Sequence, residues 1–227
     1  MTTVTDFVPG HVEPGGPSAV WHPAGAEIRK ASVSPQDNNA YLFIDSSSGA
    51  RLLIDAADDA GRLRELIGEP GVAGELIGIC TTHQHWDHHR ALADLAASGG
   101  VTTLAGADDA DALPVVVDRE LQHGDTVAVG AQRLEVIALR GHTPGSVALA
   151  WQEPGDGQVH LFTGDSLFPG GVGKTDTPED FTSLLGDVRS RIFDRYGDDS
   201  VVYPGHGDNT TLGAERPHLE QWRERGW

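Results

Sequence analysis

The chain has 227 residues, 38 % of them hydrophobic, with 29 glycines and 13 prolines; it can bury a core, and so many turn residues exclude an all-helical bundle. Acidic residues outnumber lysine and arginine by 34 to 16, for a formal charge of −18, which opposes nucleic acid and anionic membranes as partners. Part of that charge can be balanced by bound cations.

No stretch approaches the ~20 apolar residues of a membrane span. The start, MTTVTDFVPG, lacks the basic and apolar regions of a signal peptide, so a cytoplasmic location is expected. Residues 1–27, rich in Pro and Gly from residue 8 on, read as an irregular lead-in to one domain spanning 1–227, with no internal linker.

AYLFID and ARLLIDAA follow, separated by SSSG, a strand–turn–strand signal. DDAGRLRELIG puts Leu63, Leu66 and Ile67 at helical spacing. ELIGICTTH reads as a buried strand with Cys80, the one cysteine, as a small core residue; a single cysteine excludes an internal disulfide and a cysteine-built zinc site. HHRALADLAAS places Ala91, Leu92, Leu95 and Ala96 on one helix face. DTVAVG, QRLEVIALR, SVALAW and QVHLFTGD are successive strands. TPEDFTSLLGDVRSRIFDR is the clearest helix: Thr177 caps it, Pro178 takes the first turn and Asp180 completes a capping box. Its apolar stripe is Phe181, Leu184, Leu185, Val188 and Ile192. SVVYPGHG is a last short strand. Strands with helices between them predict an α/β fold of layered sheets with outer helices.

Four polar clusters, THQHWDHH, GHTPGS, TGDSLF and PGHG, each stand where an apolar strand gives out, so they should converge at one edge of the sheets. His83 and His85, two apart at a strand end, point the same way in extended chain and can reach one cation. Asp87 and His88, where the chain turns, can face a second. His142, Asp165 and His206 supply what is missing. The first site is expected to be His83, His85, His142 and Asp165, the second Asp87, His88, His206 and Asp165, with Asp165 bridging. Singly, Asp87 also reads as a helix cap, Asp165 as a turn former, and His142 and His206 as loop residues; the crowded first cluster, at the end of so apolar a strand, has no structural explanation. Nitrogen and carboxylate donors without thiolate suit zinc, iron or manganese. His11, His22, His89, His123, His160 and His218 are left outside the set, His89 as a surface or supporting residue.

With THQHWDH, GHTPGS, FTGDSLF and PGHG in order over residues 38–210, the sequence resembles the metallo-β-lactamase-fold hydrolases. The resemblance implies a four-layer αββα sandwich with metals at one edge, held by the seven residues already assigned. TGDSLFPGGVGKTD and the tail TTLGAERPHLEQW are similar to the short, single-domain glyoxalase II-like (hydroxyacylglutathione hydrolase-like) branch. That implies hydrolysis of thioesters of small thiols by metal-activated hydroxide, with two divalent ions, zinc first and iron or manganese as alternatives. Asp87 orients the attacking hydroxide. Lys174, one of only two lysines, pairs with the thiol's carboxylate, and Gly171 and Gly173, with Gly170, bring backbone close to the substrate. Trp86 and Tyr203 are placed at the pocket wall.

A thiol of pKa near 8.5 leaves without a dedicated acid, so thioesters or lactones suit the site better than amides. Only 21 residues follow His206, against a whole helical domain in long glyoxalase II chains. The Arg-over-Lys composition fits a high-GC bacterial genome, so mycothiol stands beside glutathione as the leaving thiol. The rivals are a mononuclear iron persulfide dioxygenase, a lactonase, and a metal-loaded protein without turnover. Nuclease relatives are disfavoured by charge, and β-lactamases proper by the missing cysteine ligand. The expected partner is a small-molecule thioester, and the expected state a monomer or small homo-oligomer.

Overall fold

The computed structural model describes residues 10–69, 73–97, 99–155 and 157–226. In chain order the elements are β1 (Ala19–Trp21), β2 (Ala26–Ser32), β3 (Asn39–Asp45), β4 (Arg51–Ile54), α1 (Ala60–Gly68), β5 (Leu76–Thr81), α2 (Leu92–Ala96), β6 (Thr102–Gly106) and β7 (Arg119–Leu121). Then come β8 (Thr126–Val129), β9 (Gln132–Ala138), β10 (Val147–Gln152), β11 (Val159–Gly164), β12 (Leu167–Phe168), β13 (Gly171–Val172), α3 (Pro178–Val188), β14 (Val201–Pro204), β15 (Thr210–Thr211), α4 (Leu212–Glu215) and α5 (Leu219–Arg225).

The strands form a seven-stranded sheet in the order β1-β2-β3-β4-β5-β6-β7, a six-stranded sheet in the order β15-β14-β11-β10-β9-β8, and the small hairpin β12-β13. Hairpin connections give antiparallel pairs, and the helical crossovers α1, α2 and α3 give the parallel pairs β4–β5, β5–β6 and β11–β14.

Three apolar clusters account for the layering. Ile28, Phe43, Leu52 and Cys80 of the first sheet meet Val136, Leu149, Trp151 and Phe162 of the second between the sheets. Leu42, Leu53 and Ile79 on the outer face of the first sheet pack under Leu63 and Leu66 of α1 and Leu92 and Leu95 of α2. Ile137, Ala148, Leu161 and Val202 on the outer face of the second pack under Phe181, Leu184 and Val188 of α3 and Trp222 of α5. This is the four-layer αββα sandwich of an α/β fold. Both faces of each sheet are covered, which is why β5 reads as a continuous apolar run rather than an alternating one. Among the described residues no helix is long and apolar enough to cross a membrane.

Several sequence expectations need correction. The 1–27 lead-in is not irregular throughout: its last third contains β1 and the first residues of β2, while residues 1–9 lie outside the described part. The long helix of 177–195 is α-helical only to Val188 and continues as a wider π-type turn, Arg189–Phe193. Its cap is Thr177, whose Oγ1 accepts the Asp180 N–H at 3.1 Å and donates to Asp180 Oδ2 at 2.7 Å. The helix after the histidine cluster starts only at Leu92, with Ala91 as its cap residue, so Asp87 does not cap it.

Candidate metal centre

The site begins where β5 stops. Thr82 N–H donates to Asp55 Oδ1 at 2.7 Å and Gln84 N–H to Asp109 Oδ2 at 2.9 Å. Carboxylates thus take the donors that a neighbouring strand would have taken, and the chain bends away from the sheet. His83 therefore lies in this bend, past the end of the strand, and His85 follows it in extended backbone at φ −65° and ψ 132°. Their rings meet edge to face with centroids 4.9 Å apart. A 3-10 turn, Trp86–His88, carries Asp87 and His88. His142 follows β9, Asp165 follows β11 and His206 follows β14, all at the C-terminal ends of strands.

The structure brings all seven together. His85 Nδ1 lies 2.9 Å from His142 Nε2, which is 3.3 Å from His83 Nε2. His88 Nε2 is 3.2 Å from His206 Nε2 and 3.3 Å from Asp165 Oδ1. Asp165 Oδ2 is 3.5 Å from His206 Nε2 and 3.7 Å from His142 Nε2. Asp87 Oδ2 is 3.4 Å from His206 Nε2. Three overlapping groups could each hold a cation: His83, His85 and His142; His83, His88 and Asp165; Asp87, His88 and His206.

The outer nitrogens fix the tautomers. His142 Nδ1 donates to Lys174 O at 2.7 Å, His206 Nδ1 to Gln36 O at 2.9 Å and His88 Nδ1 to Asp55 Oδ2 at 2.9 Å. Thr82 Oγ1 donates to Asp55 Oδ2 at 2.8 Å, so it accepts from His83 Nδ1 at 3.1 Å. A neutral imidazole that donates through Nδ1 keeps a bare lone pair on Nε2. Four such lone pairs converge with His85 Nδ1 and two carboxylates at distances that call for positive charge between them. Asp165 Oδ1 is buried, and among the described residues its near neighbour is His88 Nε2, itself a candidate donor, with no other hydrogen-bond partner; an oxygen available to a cation would stand so. The donor set fits a pair of divalent ions, and its nitrogen and oxygen atoms without thiolate suit zinc, iron and manganese alike.

Electrostatics agree. Burial pushes the His83 and His142 pKa values down, reinforced at His83 by the surrounding imidazoles, so both stay neutral, the state that ligates. Burial opposes charge on His88 too, but Asp165 and Asp55 prevail and raise it to about 10, so a cation taking the His88 Nε2 lone pair would displace a proton from it. Burial favours the neutral acids at Asp165 and Asp87, yet both are held below the usual carboxylate range, Asp165 by His88 and Asp87 chiefly by Asn38.

The supporting residues were not identified from sequence. Asp55, in the left-handed region at φ 59°, orients His88 and closes the Thr82 turn. Asp109, fully buried, accepts from Gln84 N, from Thr143 Oγ1 and from Gly145 N at 2.7 Å, tying the His85 and His142 loops together. Asn38 pairs with His206 through an isolated bridge and reaches Asp87. The available signal was an acid or amide standing at the margin of a buried apolar run, as in LLIDAA and DNNAYLF.

Lys174 has an exposed side chain, and its carbonyl orients His142. A Cβ on Gly173 would lie 1.8 Å from Asp165 O and 3.2 Å from His142 Nδ1, and one on Gly171 would lie 2.9 Å from Arg225 Nη2. Both glycines thus let the β12–β13 hairpin press against neighbours. Trp86 is 64 % exposed, with the Arg90 guanidinium 3.4 Å from its ring centre. Tyr203 is not at the pocket wall: it lies in the inter-sheet core, its hydroxyl 3.0 Å from His160 Nδ1, because its strand faces inward there. His89 is a buried supporting residue, with Nε2 on Gln84 O at 3.0 Å.

Residues 33–206 match the family model of the metallo-beta-lactamase superfamily. The hydroxyacylglutathione hydrolase of Fuscovulum blasticum is 37 % identical over 139 residues, 61 % of this chain and 51 % of that protein. The hydroxyacylglutathione hydrolase GloC of Haemophilus influenzae is 30 % identical over 201 residues, 80 % of this chain and 90 % of the relative. Thus the chain spans about half the length of the first relative and nearly all of the second. The crystal structure of ETHE1 from Myxococcus xanthus superposes with a TM-score of 0.74 at 27 % identity, covering 87 % of this chain and 84 % of that one. The chain belongs to the metallo-beta-lactamase superfamily.

Proposed function

We propose that this protein is a dinuclear metal-dependent hydrolase that cleaves thioesters of small thiols, in the manner of glyoxalase II. One observation carries the reading: the bare lone pairs and carboxylate oxygens of His83, His85, Asp87, His88, His142, Asp165 and His206 converge at the C-terminal edge of the two sheets. The names of the relatives, hydroxyacylglutathione hydrolases, support the thioester substrate class. Zinc is assigned first.

Two bound divalent ions would supply Lewis acidity toward the thioester carbonyl and bring water near pKa 7. The protein's own groups do the rest. Asp87, held ionised by Asn38, is placed to accept a hydrogen bond from the attacking water and orient it. Lys174, with its side chain in solvent beside the hairpin, offers an ammonium to a carboxylate on the thiol. Gly173 keeps the hairpin backbone low against Asp165 and His142, while Gly171 lets the same hairpin lie close to Arg225. No general acid is required, since a thiol of pKa near 8.5 leaves as thiolate.

The ETHE1 neighbour favours a second reading, the mononuclear iron dioxygenase acting on persulfides. The deciding experiment measures metal content on purified protein and assays lactoyl thioesters of glutathione and mycothiol, with oxygen uptake on glutathione persulfide in parallel. Hydrolysis that disappears with the metals, and falls with Asp165→Ala by at least about 10³-fold, is expected. Oxygen uptake with one iron per chain, or no turnover by metal-loaded protein, overturns the hydrolase reading.

A further inference from the structure

From the geometry we infer that Asn38 is the positioning residue of the second cation site, and that its amide decides whether a second cation stays bound. The inference rests on the dinuclear reading of the site.

Asn38 stands in the turn between β2 and β3, fully buried. Ser34 Oγ accepts the N–H groups of Gln36 and Asn38 at 3.1 and 3.4 Å, so its single proton is left for Asn38 Oδ1. That fixes the amide's direction, which heavy-atom positions alone leave open. The NH2 end then faces Asp87, donating to its carbonyl oxygen at 3.0 Å and to Oδ2 at 3.1 Å; both are pure acceptors, so no other orientation satisfies them. The same nitrogen is 3.2 Å from His206 Nε2.

Asp87 and His206 come from different sheets, 119 positions apart in sequence. Together with His88 they form the second donor group. Asn38 touches both, and the same turn orients His206 through Gln36 O. In the first group His83 and His142 are oriented instead by Thr82 and Lys174. Removing the Asn38 amide therefore frees the Asp87 carboxylate to rotate and unties it from His206, and leaves the first group's supports in place.

The test titrates chelator-stripped protein with Zn2+ by calorimetry and with Co2+ by visible absorption, on wild type, Asn38→Ala and Ser34→Ala. In wild type two binding steps are expected. In Asn38→Ala the step assigned to the second site should weaken by about 10- to 100-fold, the usual loss for an outer-shell partner. The other step should hold within about threefold, and the cobalt spectrum of the first equivalent should not change. Ser34→Ala, which keeps the amide but releases its orientation, should show the same selective loss to a smaller degree; it decides the matter if Asn38→Ala fails to fold. Equal weakening of both steps, or no weakening of either, overturns the role of Asn38 while leaving the dinuclear reading intact. A wild-type protein that takes up fewer than two cations overturns both.

Discussion

Asp55 shows how much of the site is built by residues that no cation touches. Its Oδ2 accepts from His88 Nδ1 and Thr82 Oγ1, and its Oδ1 from Thr82 N. One carboxylate thereby fixes a ligand's tautomer and bends the chain that carries two others. Replacing it by Ala strands three buried donors, each costing ~1–3 kcal/mol, and places an Ala at φ 59°, a region disfavoured for residues other than Gly, Asn and Asp. Asn in its place tolerates that backbone and keeps one acceptor oxygen. We therefore expect Asp55→Ala to unfold or to lose cations altogether. Asp55→Asn should stay folded, with about 10- to 100-fold weaker cation binding. Denaturant melts and Zn2+ titrations of the two variants check this, and equal behaviour of the two would show that the hydrogen bonds to Asp55 do not matter.

At the scale of elements, the legible parts were those whose reasons are local. α3 carries its own cap at Thr177 and its own apolar stripe, and β5 its own apolar run. β2, in contrast, reads AEIRKAS and is buried throughout, though three of its residues are charged. Only tertiary partners make that possible. Arg29 reaches Glu27 and Glu69, and Lys30 Nζ donates to Gly10 O at 2.6 Å, to Gly207 O and to Asn209 Oδ1 at 3.2 Å. The proposed donors were legible for a similar reason: spacing and residue type mark a donor, whereas Asp55, Asp109 and Asn38 are marked only by what the fold brings against them. The same Lys30 yields a pH prediction. Burial pushes its pKa from 10.5 down to about 8. Between those values the unfolded chain holds a proton that the folded one has shed, so this group's contribution to stability rises with pH across the window and is flat below it. Wild type should therefore gain on Lys30→Met by up to about 1.4 kcal/mol per pH unit from pH 8 to 10.5. Urea melts of both proteins at several pH values measure the difference, and a constant offset would mean that Lys30 keeps its proton.

On the scale of the molecule, the site lies across the seam of the sandwich. His83, His85, Asp87 and His88 hang from the first sheet's β5, whereas His142, Asp165 and His206 hang from β9, β11 and β14 of the second. Between the sheets the contact is largely apolar, with a few directional hydrogen bonds at this edge, among them Tyr41 Oη to Pro204 O at 2.7 Å and Asn39 Nδ2 to Pro204 O at 2.9 Å. Cations held from both sides would add to these in setting how far one sheet edge stands from the other. They also remove the repulsion among converging lone pairs and carboxylates in a chain whose formal charge is −18. Cation binding is therefore folding free energy here, absent from the unfolded chain, where the donors are scattered. A ligand at 100 times its Kd adds about 2.7 kcal/mol per site. For a chain of this length each kcal/mol moves the melting temperature by about 2–4 °C, so stripping one such site should lower it by about 5–10 °C. The melting temperature should also climb steadily with the logarithm of free Zn2+ once the sites fill, and the Asn38→Ala protein should show roughly half that climb at Zn2+ concentrations below the Kd of its weakened second site, where only one site responds to the added ion. A melting temperature indifferent to Zn2+ and to chelator would mean that the sheets meet at this edge without help from the metals.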